Sequence, residues 1–307
     1  MIEHLVEPLR FGFMQQALAI GAIIGAVGAV LSCFLVLRGW SLMGDAISHA
    51  VLPGVVLAYI AGIPLAIGAF ASGLFCAVAT GWIKANSRIK EDTVMGVVFT
   101  GLFAFGLVLF SKTPSDLHLD HILFGNILGV SAAQLWETGL LSAVVLAVIL
   151  TLRRDLLLVC FDPSHARALG KSVRGLTYLL LILLSLAIVA AMKAVGLILV
   201  IAVLITPGAT AQLLTQRFDR MIIIAVVVAV GSALAGIYVS YFIDGAPAAC
   251  IVLVQTLVFL TALLFAPRRG LLRRRPAPAS APEPHDEAPS ITKDAIDGPS
   301  AIRAGRR

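Results

Sequence analysis

The chain has 307 residues, of which 59% are hydrophobic and 13% are charged, and its mean hydropathy is +0.99. Soluble globular domains carry about 25% charged residues, so this composition excludes a soluble domain as the main part of the chain. The formal net charge of +6 does not indicate a nucleic-acid-binding protein, because the basic residues gather at the ends of apolar segments and in a Pro-rich tail without interleaved aromatic residues.

Apolar runs of about 20 residues, the length of helix that crosses a bilayer, recur along the chain. They predict about nine spans, in chain order Met14–Leu37, Ser41–Ala61, Leu65–Ile83, Thr93–Phe110, Ala132–Leu152, Leu176–Met192, Val195–Leu214, Met221–Ile243 and Pro247–Phe265. The predicted fold is therefore all-α, a polytopic transmembrane helical bundle over residues 1–270. Residues 271–307 are rich in Pro, Ala and Ser with mixed charge, which predicts a disordered tail.

The basic residues between the predicted spans are distributed asymmetrically. Loops rich in Lys and Arg remain in the cytoplasm, so the richer side is predicted to be cytoplasmic. That side holds Arg38, Lys84, Arg88, Lys90, Arg153, Arg154, Arg167, Lys171, Arg174, Arg217 and Arg220, and the other side holds Arg10, Lys112 and Lys193. This distribution predicts an N-terminus outside the cell and a cytoplasmic C-terminal tail.

Two predicted spans contain helix-breaking pairs, Pro53-Gly54 in the second and Pro207-Gly208 in the seventh. Non-helical backbone at membrane depth is tolerated where it is buried in protein or lines a cavity, so interrupted helices at these points would mark a transport pathway. Simple proline kinks are the alternative. Gln255, a polar residue in the ninth span, predicts an interhelical hydrogen bond.

Asp45 and His49 lie four residues apart on one face of the second predicted span. An ionisable group inside a membrane costs on the order of 3 kcal/mol or more and is usually retained for function or for pairing. A carboxylate and an imidazole side by side can both coordinate one divalent cation. The pattern therefore favours a metal pathway, with an Asp-His pair that only fixes a helix interface as the alternative.

A second group of candidate metal ligands follows the fourth span, in the connection predicted to lie outside the cell. It contains Asp116, His118, Asp120 and His121. Imidazole with carboxylate suits manganese, ferrous iron or zinc, and the absence of thiolates disfavours copper(I). The four cysteines have no C-x-x-C spacing, so they predict neither a thiolate site nor a disulfide framework. A solvated loop without metal is the alternative for this group.

The largest predicted cytoplasmic loop contains helix signals, with a start at Asp162-Pro163 and a stop at Gly170. We expect a short helix there, either docking on a soluble partner or lying in solvent. Gly170-Lys171-Ser172 imitates the end of a phosphate-binding loop, but His165 occupies the position of the required first glycine. The chain is therefore not expected to hydrolyse ATP itself.

Four segments, taken in order, resemble one known family. They are Ser41 to Ala50 with Pro53-Gly54, Phe124-Gly125-Asn126-Ile127-Leu128-Gly129, the loop from Phe161 to Gly170, and Thr206-Pro207-Gly208-Ala209-Thr210. They resemble the membrane permeases of bacterial ABC-type importers for manganese, iron and zinc, and are most similar to the manganese and iron branch. The resemblance covers roughly residues 10 to 270.

The resemblance implies a permease that works as a homo- or heterodimer in the lipid of the inner membrane. A cytoplasmic ATPase dimer would lie beneath it and an extracytoplasmic metal-binding protein above it. No permanently bound cofactor is implied, because manganese, iron or zinc would be the transported substrate. By position, Asp45 and His49 would line the metal pathway. Further ligands would be His118, Asp120 and His121, and the coupling helix against the ATPase would contain Asp162, Ala166, Ala168 and Gly170.

Two other classes compete with an ABC permease. An ion-coupled secondary transporter would also contain broken helices and buried ionisable residues. An intramembrane metalloenzyme is less favoured, because no H-E-x-x-H motif occurs in the sequence. The three classes differ in their source of energy and in whether a substrate is chemically changed.

Overall fold

A computed structural model describes residues 7–113 and 125–266 of the chain. All regular secondary structure in these ranges is helical. Its helices are α1 (Gly12–Arg38), α2 (Met43–Ala61), α3 (Leu65–Asn86), α4 (Glu91–Lys112), α5 (Ala132–Thr151), α6 (Arg153–Phe161), α7 (Pro163–Ala168), α8 (Val173–Leu214), α9 (Phe218–Ile243) and α10 (Pro247–Phe265). Short 3-10 helices occupy Glu7–Arg10 and Ile127–Gly129.

Eight of these helices, all except α6 and α7, are long and apolar enough to cross a membrane. The predicted all-α membrane bundle is therefore confirmed. The predicted domain boundary at residue 270, the tail at 271–307 and the group Asp116, His118, Asp120 and His121 lie outside the described residues.

The predicted sixth and seventh spans are the two arms of α8, which is interrupted at Gly196 (φ 77°, ψ 172°). The neighbours of each arm on α1 establish its direction. Arg38, at the end of α1, bonds Thr177 on the first arm, whereas Gly28 lies against Val203 and Ser32 bonds Gly208 on the second arm. Although Thr177 and Gly208 stand near opposite ends of α8, both lie near the end of α1, and residue numbers on the second arm rise in the same direction as those of α1. The chain therefore reverses its direction at Gly196 without a connecting loop.

The helices form an inner and an outer group. In α1, α2 and α8, 72% of the most apolar stretch is buried, against 17% in α4. The outer helices expose large apolar side chains such as Val97 on α4 and Leu253 on α10, as expected for surfaces that face lipid. The inner helices thus form the core, with α1 packed against α8 and α9.

Glycines allow close packing of α2 with its neighbours α3 and α4. Gly54 on α2 and Gly68 on α3 face each other so closely that a Cβ on either would overlap the other's backbone carbonyl. Gly106 on α4 lies against Pro53, where a Cβ would come within 2.7 Å of the proline nitrogen. Small residues at such crossings let helix backbones approach, so α2 is held against two neighbours at mid-length.

The predicted helix breaks at Pro53-Gly54 and Pro207-Gly208 are wrong, because α2 and α8 continue through both pairs. Ser32 of α1 bonds the α8 backbone on both sides of this proline. Its hydroxyl donates to the carbonyl of Ile205 at 3.2 Å and accepts from the N–H of Gly208 at 3.0 Å. A neighbouring side chain that replaces lost backbone bonds allows proline within a membrane helix. The backbone interruption lies instead at Gly196.

Candidate functional site

Asp45 and His49 form a side-chain pair at the start of α2. Nε2 of His49 lies 3.3 Å from Oδ1 of Asp45, as their spacing of one helical turn predicts. Asp45 is in the first turn of α2, where the positive end of the helix dipole favours a carboxylate. The structure thus brings the two predicted ligands together within a membrane-spanning helix.

Two phenylalanines of α4 surround the imidazole of His49. The ring of Phe99 stacks on it at a centroid distance of 6.0 Å, and Phe103 meets it edge-on at 5.3 Å. These rings restrict the orientation of His49 without competing for its nitrogens. The imidazole therefore remains able to bind a cation through a nitrogen lone pair.

The backbone of α2 near the pair is anchored to α3. The hydroxyl of Ser72 donates to the carbonyl of Ala50 at 2.6 Å, and the thiol of Cys76 lies 3.8 Å from the carbonyl of Ala46. Cys76 is buried and free, so it serves as a packing residue. The α2 backbone that carries the metal-ligand candidates is thus fixed on its α3 side.

The Asp45-His49 pair is only partly covered within one chain. The two side chains keep 30% and 29% of their surface exposed. Among residues 7–113 and 125–266, no group of three His, Cys, Asp or Glu side chains is placed to hold a metal ion. The described part of one chain therefore offers two ligands at an open face.

The predicted cytoplasmic helix exists as α7. The carboxylate of Asp162 caps it by accepting from the N–H groups of Ser164 and His165, each at 2.9 Å. The backbone hydrogen bond from His165 is the main cause of a lowered pKa at Asp162, and the one from Ser164 acts in the same direction. Gly170 follows the helix with φ 72°, in agreement with the predicted stop.

The four residues predicted to couple to an ATPase differ in accessibility. Ala166 is buried, whereas Asp162, Ala168 and Gly170 are exposed. Sequence reasoning missed two apolar residues that flank α7, Phe161 and Leu169, with 71% and 59% of their surfaces exposed. Both side chains are accessible to a partner protein or to lipid.

Structural roles explain the segment that imitates a phosphate-binding loop. Lys171 forms a 2.8 Å ion pair with Asp155. The hydroxyl of Ser172 caps α8 by accepting from the N–H of Gly175 at 3.2 Å. Helix capping and a surface ion pair therefore account for Gly170-Lys171-Ser172.

The interhelical hydrogen bond predicted for Gln255 is not formed among residues 7–113 and 125–266 of one chain. Its side chain is fully buried, and neither Oε1 nor Nε2 has a hydrogen-bond partner among the described residues. A buried amide without partners loses its hydration with no compensation.

The comparisons with known proteins decide between the classes that the sequence left open. The chain matches the ABC 3 transport family over residues 10–266. It belongs to this family. An ABC-type permease is thereby favoured over an ion-coupled secondary transporter, and the recognition made from four sequence segments is confirmed.

Individual relatives cover nearly the whole chain. The chelated iron transport system membrane protein YfeD of Yersinia pestis is 54% identical, over 92% of this chain and 96% of the relative. The manganese transport system membrane protein MntB of Synechocystis sp. is 50% identical, over 92% of each chain. The structure of PsaBC from Streptococcus pneumoniae in complex with Fab has a TM-score of 0.79 and 40% identity, covering 88% of this chain and 98% of that chain.

Proposed function

We propose that the chain is the membrane subunit of an ATP-driven importer that carries manganese or iron across the inner membrane. The observation that carries the proposal is the Asp45-His49 pair, 3.3 Å apart in a membrane-spanning helix and partly exposed. The names of YfeD and MntB, which refer to chelated iron and manganese, support this substrate class. Zinc is less favoured, although the same ligands would accept it.

The chemistry of the pair suits a transported rather than a resident ion. One carboxylate and one imidazole bind a divalent transition metal, and two ligands hold it less firmly than the four of a closed structural site. Weak binding is required for an ion that must also leave. In an alternating-access cycle, Asp45 and His49 would receive the ion from outside and release it inward.

A second permease copy, identical or related, would complete this pathway. The partial exposure of Asp45 and His49 leaves them available to a neighbouring subunit on the open face. The remaining ligands at the Asp45-His49 pair would come from that subunit or from water, and His118, Asp120 and His121 would act separately. We place those three residues at the outer mouth, where the ion arrives from a metal-binding protein.

The cytoplasmic partner would be a dimer of ATP-binding subunits that contacts α7 and its flanks. Ala166 is buried, so it anchors α7 to the permease, while Asp162, Ala168, Gly170, Phe161 and Leu169 are available to the partner. Because the chain reverses at Gly196, the two arms of α8 and the seven other long helices would cross the membrane nine times. With the basic loops inside, an odd number of passes would put the N-terminus outside and the C-terminus in the cytoplasm.

Reconstitution into liposomes tests the proposed source of energy. The chain is inserted with its ATP-binding subunit and supplied with the metal-loaded binding protein, and manganese uptake is measured with ATP, without ATP, and with only an ion gradient. We expect uptake only with ATP. Accumulation driven by an ion gradient in liposomes that contain the chain alone would overturn the proposal.

A further inference from the structure

Arg38, the last residue of α1, joins three parts of the cytoplasmic side. Its guanidinium donates to the carbonyl of Val159 in α6 at 2.7 Å and to the hydroxyl of Thr177 in α8 at 3.4 Å. It also lies over the ring of Trp40, 4.8 Å from the ring centroid. One side chain thus links the ends of α1, α6 and α8 with the connection that leads to α2.

The carbonyl of Val159 is available to Arg38 because of the residue four positions later. In a continuing helix it would accept from the N–H of residue 163, which is proline and has none. At the end of α6, the N–H of Asp162 donates to the carbonyl of Leu158 at 2.9 Å. Arg38 therefore supplies the donor that Pro163 cannot, at the helix end where the dipole favours a cation.

The bond to Val159 lies directly before the proposed contact with the ATP-binding subunits. Val159 precedes Asp162, which caps α7, by three residues. The helix α6 is also held by its buried side chains Leu156 and Val159 and by the surface ion pairs Arg153–Asp219 and Lys171–Asp155, which solvent weakens. If α6 moves together with α7, the bond between Val159 and Arg38 therefore carries the movement more directly than those surface pairs do.

On its other side Arg38 acts on the start of α2. Gly39 ends α1 with φ 76°, and the N–H of Trp40 returns to the carbonyl of Leu35 at 2.8 Å. Trp40 is only 6% exposed, and its carbonyl accepts from the N–H of Met43, where α2 begins. Asp45 follows in the first turn.

We propose that Arg38 is a positioning residue that transmits movement of α6 and α7 to the Asp45-His49 pair, and so couples ATP hydrolysis to metal release. This inference rests on the proposed function. The side chain touches neither the metal nor the nucleotide, and its effect passes through Trp40 and the first turn of α2. Arg38 should therefore determine how much metal is moved for each ATP, rather than how fast ATP is hydrolysed.

The test compares coupling in the reconstituted complex of permease, ATP-binding subunits and binding protein. Manganese uptake and ATP hydrolysis are measured together for the wild type, Arg38→Met and Arg38→Lys. We expect Arg38→Met to keep ATP hydrolysis while the ratio of manganese to ATP falls about fivefold or more. Arg38→Lys, which keeps the charge but not the planar guanidinium with its two donating nitrogens, should give an intermediate ratio of manganese to ATP. Arg88→Met removes an exposed charge between α3 and α4 and should leave the ratio unchanged.

A fluorescence measurement separates coupling from a merely structural role. Trp82 and Trp136 are 63% and 80% exposed, so replacing both with Phe leaves Trp40 as the reporter. Binding of a non-hydrolysable ATP analogue should change Trp40 emission with Arg38 present and not in Arg38→Met. If Arg38→Met does not assemble, an Arg38→Lys complex with unchanged ratio and unchanged emission response overturns the inference.

The two proposals fail in different ways. A wild-type complex without ATP-dependent uptake would overturn the proposed function. A wild-type complex that transports manganese, beside an Arg38→Met complex with the same ratio of manganese to ATP, would overturn only the role of Arg38.

Discussion

Replacing Gly54 with Ala tests the close contact that holds α2 against α3. The added methyl group would overlap the carbonyl oxygen of Gly68 and lie 2.6 Å from Cβ of Ser72. A backbone carbonyl within a helix cannot rotate away, so the two helices would have to move apart. Ser72 also bonds the carbonyl of Ala50, and this bond would be strained by the same movement.

The expected loss of stability is the difference between two opposing effects. Overpacking in a well-packed interior costs about 1–3 kcal/mol, and a rigid backbone obstacle puts Gly54→Ala near the upper end. Alanine is more favourable than glycine within a helix by about 1 kcal/mol, and this offsets part of the cost. We therefore expect a net loss of about 2 kcal/mol, or about 4–8 °C in Tm for a domain of this size.

The assay is thermal unfolding of the purified chain in detergent, with Gly231→Ala as the matched control. Gly231 lies in α9, and a Cβ there would meet no atom within 4 Å. The control should be neutral or gain up to about 1 kcal/mol from helix propensity. A Tm for Gly54→Ala equal to or above that of Gly231→Ala would refute the packing argument.

Two further predictions concern Gln255 and Asp162. Gln255→Leu should raise the Tm by the equivalent of about 1 kcal/mol or more, because it removes an unpaired buried amide. The exposed control Thr256→Val should change the Tm little. A lower Tm for Gln255→Leu would mean that the amide has a partner. Asp162→Ala should lower the Tm at pH 7, because the cap of α7 is lost. The folded-state pKa of Asp162 is lowered from its ordinary value of 3.8, so its stabilisation is present above that value and is lost as the pH falls through the lowered pKa. The difference in Tm between wild type and Asp162→Ala should therefore be smaller at pH 3 than at pH 7. An equal difference in Tm at both pH values would contradict the capping role.

The membrane fold could be predicted largely from apolar length and charge. Seven of the nine predicted spans match separate helices, because each is followed by charged or turn residues that end the apolar run. The reversal between the two arms of α8 was also predicted, since the sixth predicted span ends at Met192, before Lys193, and the seventh begins at Val195. The sequence does not indicate that the two arms join at Gly196 without a loop, because Val195-Gly196-Leu197 continues an apolar run.

The helix breaks were mispredicted because proline and glycine have more than one use in a membrane. Pro53 and Gly54 permit close packing against Gly106 and Gly68 without ending α2. Which use applies depends on residues far away in sequence, and periodicity does not identify them.

The Asp45-His49 contact was predictable because it is local. A spacing of four residues on a helix places the two side chains together whatever the tertiary structure. The roles of Phe99 and Phe103 around His49, and of Arg38 at Val159, depend on helices that meet only after folding. Pro163, four residues after Val159, was the single sequence signal that a carbonyl there needed an outside donor.

Manganese uptake by Asp45→Asn and His49→Gln complexes tests the metal pathway most directly. Each substitution keeps the size of the side chain and weakens or removes a metal ligand. The control is Asp244→Asn, at the exposed residue that follows α9. Loss of even an outer-shell partner typically lowers metal affinity 10–100-fold, so we expect at least about a tenfold fall in uptake with the complex still assembled. Uptake at the wild-type rate in both variants would contradict a pathway through Asp45 and His49.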